Sequence, residues 1–367
     1  MSIKKIIKTS SLYKVLNHFY IYNPFLREIR ISRDEKKNFL KEAESRFKTE
    51  KPLVGSYKDY KKAFRKHRVT YSEYMFSYEY WRLNENQRDE FISTSEMRCL
   101  YRKLGSSHVR EVFHDKVVFL KEFHDFVHRK WVLVKDLSFD QFKMMITRFD
   151  CIAKPIGGSQ GNGIFKICAK DIEDWNGLYE KCVRENILLE ECVHACEEIE
   201  EFHPQSLNTI RVVTISNKDS CVVFGALFRM GVHGSVIDNT HAGGVYAPIN
   251  LKTGTIDIEA IDSNNNKYEY HPDSHKRIKG FKIPYWDQII ETCQRATRTI
   301  PDIHFAGWDL CVTNDGRVEI IEGNHAPDFD GGMQAPLKTG VKKKVQQTVI
   351  DLMRVDPIRL LSIWRYK

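Results

Sequence analysis

The chain has 367 residues, 42% of them apolar and 12% aromatic, which is enough for a packed core and excludes wholesale disorder. Charged residues make up 29%, and no uninterrupted apolar run reaches about 18 residues, so a membrane-spanning helix is not expected. The net charge is +8, but residues 1–70 hold 19 Lys and Arg against 7 Asp and Glu, while the other 297 hold 38 against 42. One end is strongly basic and the remainder mildly acidic.

The basic segment is interleaved with Tyr13, Phe19, Tyr20, Tyr22, Phe25, Phe39, Phe47, Tyr57, Tyr60 and Phe64, and Leu12, Val15, Leu16 and Phe19 recur at helical spacing. Such a segment suits a helical layer with a solvated basic exterior, or one that lies on an anionic bilayer or glycolipid. No nucleic-acid motif accompanies it, and nucleic acid is not an expected partner. Met1-Ser2-Ile3-Lys4-Lys5 opens with charge and no apolar export stretch follows. Nine cysteines lack C-x-x-C or zinc-type spacing, which reads as reduced thiols. The expected location is cytoplasmic, with peripheral contact at the inner membrane face through residues 1–70 as an option.

Along the chain, residues 1–110 read as mostly helical, with breaks at Asn23-Pro24, Lys51-Pro52 and Gly105. From Val112 the texture changes. Strands are expected at 149–156, 164–168, 186–190, 210–215, 221–228, 308–313 and 318–322, and helices at 116–129, 138–147, 171–184, 285–298 and 340–354. Hairpins with flanking helices argue for an α+β fold rather than regular βαβ alternation.

Two constellations carry chemistry. Residues 151–167 are two strand-like runs around Gly157, Gly158, Ser159, Gly161 and Gly163, with Lys154 just before the loop. Glycines let a row of backbone N–H groups face phosphate oxygens, and the lysine adds a point charge. The pattern is neither a P-loop nor a dinucleotide fingerprint; a plain hairpin loop is the alternative. The second constellation is 308–313 and 317–322 around Asn314-Asp315-Gly316. If Asp315-Gly316 is a two-residue turn, counting outward sets Asp309 opposite Glu322, with Asn324 on the same face. Facing carboxylates repel, and a divalent cation relieves this. Three hard oxygen donors suit magnesium, with manganese as the alternative. Two exposed acids at a splayed hairpin end are the bland reading. Asp309→Asn is expected to weaken magnesium–nucleotide binding and to leave stability unchanged or improved.

A lysine and glycine loop between strands, followed by an Asp…Glu-x-Asn hairpin, resembles the ATP-grasp superfamily. Ile187-Leu188-Leu189-Glu190-Glu191-Cys192-Val193 resembles its interlobe hinge, which would make Glu190, Glu191, Cys192 and Val193 the adenine-reading residues. Glu198 falls where the family often places a ribose-binding acid, and Asp115-Lys116 resembles the first nucleotide lysine. The run from His203 to Thr214, Arg229, Ser235 to Asn239, Gly243-Gly244, Ile283 to Trp286 and Gln334 are similar to the sugar-transfer-associated subfamily linked to surface polysaccharide synthesis. The resemblance covers roughly 112–350. It implies two α+β lobes gripping a nucleotide: a helical basic region at 1–110, a small lobe at 111–193 with the glycine hairpin, and a large lobe at 194–354 with the metal site.

The implied reaction is ATP-dependent carboxylate–amine ligation through an acyl phosphate, joining an amino acid or amine to a carboxyl-bearing sugar. ATP and Mg2+ are the cofactors, and the partners are a carboxylate-bearing small molecule or glycan and an amine donor. A phosphotransferase and a non-catalytic, membrane-recruited scaffold are the alternatives. Many ligases of this kind carry an arginine two residues before the metal aspartate, where this chain has Gly307. Arg211 and Arg229 are therefore the candidate catalytic cations, with a cross-strand pairing role as the alternative. Asn239 either orients the acceptor or caps a turn. His241 and His325 are the two histidines close to the presumed active loops.

Overall fold

The computed structural model describes residues 39, 57–156, 163–235, 243–328 and 333–355. They belong to two compact units, one of residues 1–75 and 79–88, the other of residues 76–78 and 89–367.

In the first unit, helix α1 (Tyr57–His67) turns Asp59, Tyr60, Ala63 and His67 inward and its lysines outward. Tyr60 packs on Phe39 and Tyr74 at ring separations of 6.0 and 5.2 Å, so these aromatics are core. Buried Asp59 is held by Arg88 at 2.7 Å and by the Tyr74 hydroxyl at 2.6 Å. Burying that carboxylate is tolerable because each oxygen has a charged or polar donor. Residues 1–38 and 40–56 of the basic segment lie outside the described residues.

The second unit contains helices α2 (Thr94–Leu104), α3 (Ser107–His114), α4 (Lys116–Glu122), α5 (Phe139–Arg148), α6 (Trp175–Arg184), α7 (Trp286–Thr299) and α8 (Lys342–Met353). Its smaller sheet has the order β1-β4-β2-β3, formed by Trp131–Leu133, Ile187–Glu191, Cys151–Pro155 and Phe165–Ile167. All its pairings are antiparallel. Alternation sends Cys151, Ala153, Ile167 and Leu189 into a core with Phe142 of α5 and Cys182 of α6. On the opposite face Leu188 packs with Leu120 and Val127, beside Lys154 and Glu190.

The larger sheet has seven strands in the order β11-β10-β5-β6-β7-β8-β9. Its centre is β5 (Thr209–Ser216), β6 (Cys221–Met230), β10 (Phe305–Val312) and β11 (Val318–Asn324), continued by β7 (Val245–Pro248), β8 (Ala260–Ile261) and β9 (Lys267–Tyr268). Ile210, Val212, Trp308 and Leu310 pack on one side with Ile289 and Cys293 of α7. On the other side Val213, Ile215 and Phe305 are covered by Met97 and Leu100 of α2 and Val345 and Val349 of α8. The charged half of that second side remains for the site.

The α+β class and every expected strand are present. The expected helix at 116–129 ends at Glu122, where Phe123 leaves helical geometry. The strand β1 and the short β7, β8 and β9 carry too little periodicity to be read from sequence.

Candidate functional site

The site is built from four neighbouring strands. Arg211 on β5 pairs with Asp309 on β10, and Asp309 pairs with Glu322 on β11. Arg229 near the end of β6 pairs with Thr209 and so shares the face of Arg211. Asp309 is 3% exposed. It accepts hydrogen bonds from Nε and Nη2 of Arg211, the latter at 2.6 Å, and from Nη1 of Arg229 at 3.1 Å. Burial alone would raise its pKa, but the two guanidinium charges override burial and hold it well below the usual carboxylate range. Burial, then the Asp309 charge, pushes Glu322 up to about 7. Because Glu322 still has an exposed surface, water tempers the burial and the neighbouring carboxylate is the cause that persists.

The facing of Asp309 and Glu322 is reached by a different route from the one the sequence suggests. The turn is not a two-residue Asp-Gly turn. Gly316 N donates to Thr313 O and Thr313 N to Arg317 O, which closes a three-residue loop with Gly316 at φ 77°. Val312 then pairs with Val318 and Leu310 with Ile320, one residue out of the expected register. A bulge beyond Leu310 leaves Ile321 without a partner and restores Glu322 opposite Asp309, with Asn324 opposite Gly307. Two deviations cancel.

Gly307 now has a reason. A Cβ there would lie 2.9 Å from Pro327 Cβ and 3.4 Å from Arg211 Cδ. The bare α-carbon lets Arg211 cross from the next strand to Asp309, placing a guanidinium over the position where the resemblance leads one to expect an arginine.

On the facing sheet, Lys154 pairs with Glu190 at 2.8 Å. Glu190 is 3% exposed and also accepts from Nε of Arg129. Despite burial, Lys154 and Arg129 hold it down at about 2. Lys116, at the start of α4, donates to the carbonyl of Pro155 at 3.1 Å, and burial together with the Lys154 charge lowers its pKa. Glu191 N bonds to Lys130 O and Cys192 N to Asp150 O, both at 2.8 Å, which fixes the strand end before Val193. Glu198 is exposed on the short helix Glu197–Glu200, and its carbonyl takes Lys276 Nζ at 2.7 Å. Gly163 leads into β3 at φ 76°. Gly158, Ser159, Gly161, Asn239 and His241 lie outside the described residues. His325 sits 4.9 Å from the His114 ring, and burial with the neighbouring cationic groups lowers it to about 4, so it is neutral at pH 7.

Sequence reading missed Arg129 and Glu319. Arg129 is 7% exposed and donates from Nη1 to Glu319 Oε1 at 2.8 Å and to Ile320 O at 2.8 Å, and from Nη2 to Ile321 O at 2.9 Å. An acid within the apolar run Val318-Glu319-Ile320-Ile321 signals a buried carboxylate in need of a cation, but nothing local names the partner. Other family-like residues prove to be braces. The Gln334 amide bonds to Ile92 N and O, the Tyr78 hydroxyl and Val341 N. Asn208 ties Gly231 N to Ile199 O and His203 O, fixing the end of β6 beside Arg229.

The donor set Asp309, Glu322 and Asn324 fits a hard cation in chemistry, being two carboxylates and an amide oxygen on one face. Among the described residues no cluster of three or more His, Cys, Asp and Glu would hold a metal unaided. A cation here would need phosphate oxygens to complete its shell. Nor does the protein need one for charge balance, since Arg211 and Arg229 already offset the two carboxylates.

Residues 176–349 match the family profile described as sugar-transfer associated ATP-grasp. This matched segment covers just under half of the chain. That segment includes β4 to β11 and most of α8, and hence Arg211, Arg229, Asp309, Glu322 and Asn324. No match was found among curated proteins. Among solved structures, the chain is similar to the ATP-grasp ligase PsnB complexed with minimal precursor, Mg and ADP, at 14% identity over 69% of this chain and 62% of that one, with a TM-score of 0.43. It is also similar to N5-carboxyaminoimidazole ribonucleotide synthetase from Thermotoga maritima, at 16% identity over 68% and 57% of the two chains, TM-score 0.37. The Staphylococcus aureus N5-carboxyaminoimidazole synthetase complexed with ADP matches at 12% identity over 69% and 58%, TM-score 0.42. This chain thus spans less than two thirds of the length of each of these three.

Proposed function

We propose that this protein is an ATP-dependent carboxylate–amine ligase that forms an amide through an acyl phosphate. The observation that carries the reading is the gathering of Arg211, Arg229, Asp309, Glu322 and Asn324 on one face of the large sheet, within the segment that matches the ATP-grasp family. Lys116 and Lys154 supply ammonium groups for nucleotide phosphates, and the 157–162 loop supplies backbone donors. Residues 190–193 form the adenine edge of the site, and Glu198 is assigned to the ribose. Asp309, Glu322 and Asn324 would hold Mg2+, which would supply charge neutralisation for the nucleotide phosphates. Arg211 and Arg229 sit beside that face and would stabilise charge on the transferring phosphoryl group. Asn239 is assigned to the acceptor. The lobes of this assignment are 111–193 and 194–354, preceded by the basic region 1–110.

The words sugar-transfer associated in the family description support a sugar or glycan substrate; on our reading it bears the carboxyl group and an amino acid or amine is the donor. The surplus of 12 positive charges in residues 1–70 supports contact with an anionic inner membrane face or glycolipid. No helix among the described residues is long and apolar enough to cross a membrane. Calorimetric titration of an ATP analogue with and without Mg2+, in wild type and Glu322→Gln, tests the site. Mg2+-dependent binding that is lost in the variant is expected. A folded wild type that binds no nucleotide overturns the proposal. Phosphate release that requires both an acid and an amine then tests the ligase step.

A further inference from the structure

We infer that Arg129 is a positioning residue for the proposed metal site, acting by holding the β11 bulge that brings Glu322 opposite Asp309. The inference rests on the nucleotide–metal reading of that site.

Without the bulge, the register at the turn end of the hairpin would continue, and Asp309 would face Ile321. Glu322 would move to the opposite face, where Phe113 and Phe119 now pack against Gly323. The sequence must therefore hold one residue out of the ladder at a fixed place. Successive carbonyls of a regular strand point to opposite edges, so one side chain would not normally reach two of them. At this bulge, the carbonyls of Ile320 and Ile321 both accept from the Arg129 guanidinium. β11 is the edge strand of its sheet, so among the described residues no further strand takes these acceptors. Nη1 also donates to Glu319 on β11, and Nε to Glu190 on β4. Glu319 Oε1 in turn accepts from the Arg129 backbone N–H at 3.1 Å, so the side chain has little freedom.

The same guanidinium reaches the small sheet. Glu190 shares its two oxygens between Arg129 and Lys154. One buried cation therefore sets the carboxylate on one wall of the site and restrains the lysine on the other. Lysine at 129 would keep the charge but could not fork to two carbonyls and two carboxylates.

The test uses Arg129→Lys and Arg129→Met in the full chain. Two readouts separate positioning from simple stability: backbone hydrogen exchange across 318–324, and the factor by which Mg2+ strengthens ADP binding. In Arg129→Lys, exchange at 320–323 is expected to rise while that of β5 and β6 is unchanged. The Mg2+ enhancement should fall by about 10-fold or more, the usual size of an outer-shell effect. A folded Arg129→Lys with unchanged exchange at 320–323, or with its full Mg2+ enhancement, overturns the inference. If Arg129→Met does not fold, Arg129→Lys decides. If the wild type shows no Mg2+ enhancement at all, the proposed function fails, and the exchange arm still judges whether Arg129 holds the bulge.

Discussion

Neutralising Asp309 should destabilise the protein before any ligand is added. Asp309→Asn removes the charge that Arg211 grips through two nitrogens and Arg229 through a third. Two guanidinium groups are then left close together, with their own desolvation uncompensated. Removing one partner of a fully buried pair typically costs about 3–5 kcal/mol. Here the two arginine side chains are 15% and 12% exposed, and Glu322 stands next to them to take up part of the charge. We expect about 2–3 kcal/mol, which for a domain of this size lowers Tm by roughly 3–5 °C.

The pH dependence has a definite sign. The folded pKa of Asp309 is depressed, so its contribution is present above the unfolded value of about 3.9 and is lost as pH falls below it. Wild type and variant should therefore differ fully at pH 7 and converge under strong acid. Urea unfolding without Mg2+ at pH 7.5 and pH 3 measures this. In the same variant Glu322 loses its carboxylate neighbour, so its titration, followed by NMR, should move down. An Asp309→Asn protein as stable as wild type at pH 7.5 would refute the view that the arginines already balance this site. It would restore the simpler picture of two repelling carboxylates awaiting a metal.

Three further outcomes are expected. Glu190 is held at about 2 by Lys154 and Arg129, so it stabilises the fold above pH 4.5 and loses that effect between 4.5 and 2. The full linkage is about 3 kcal/mol, and Glu190→Gln should flatten this limb of the urea-measured pH–stability curve. Of the nine thiols, Cys99, Cys151, Cys182, Cys196, Cys293 and Cys311 are buried, and burial pushes Cys151 up to about 12 and Cys182 to about 11. Native alkylation at pH 7.5 should modify at most Cys168, Cys192 and Cys221, read by mass spectrometry; rapid labelling of Cys151 would contradict the packing of β2. Gly316→Ala forces a Cβ at φ 77° to within 2.9 Å of the Tyr285 ring, and should lower stability by about 1–3 kcal/mol in urea melts. No loss would mean that the three-residue turn is misassigned.

The sequence by itself determined the α+β class, the seven principal strands and the partnership of Asp309 with Glu322. Each of these is written in short-range terms: period-2 alternation, a glycine at a turn, and acids placed in strand-like runs. Even so, the partnership was reached through a turn that the chain does not form. The three-residue loop and the bulge at Ile321 each shift the register by one, and local pattern does not reveal either. Arg211 and Arg229 were legible as candidates because Gly307 stands where the resemblance expects an arginine, and they are the nearest arginines in strand-like runs. Their grip on Asp309, and the space Gly307 leaves for it, depend on which strands lie side by side. Arg129 was illegible for the same reason in stronger form. Its partners Glu190 and Glu319 lie 61 and 190 residues away, and a cation's choice among distant acids is settled by three-dimensional proximity and desolvation. What the tertiary structure decided is how the buried charges are shared out, because that balance depends on distances that no sequence spacing encodes.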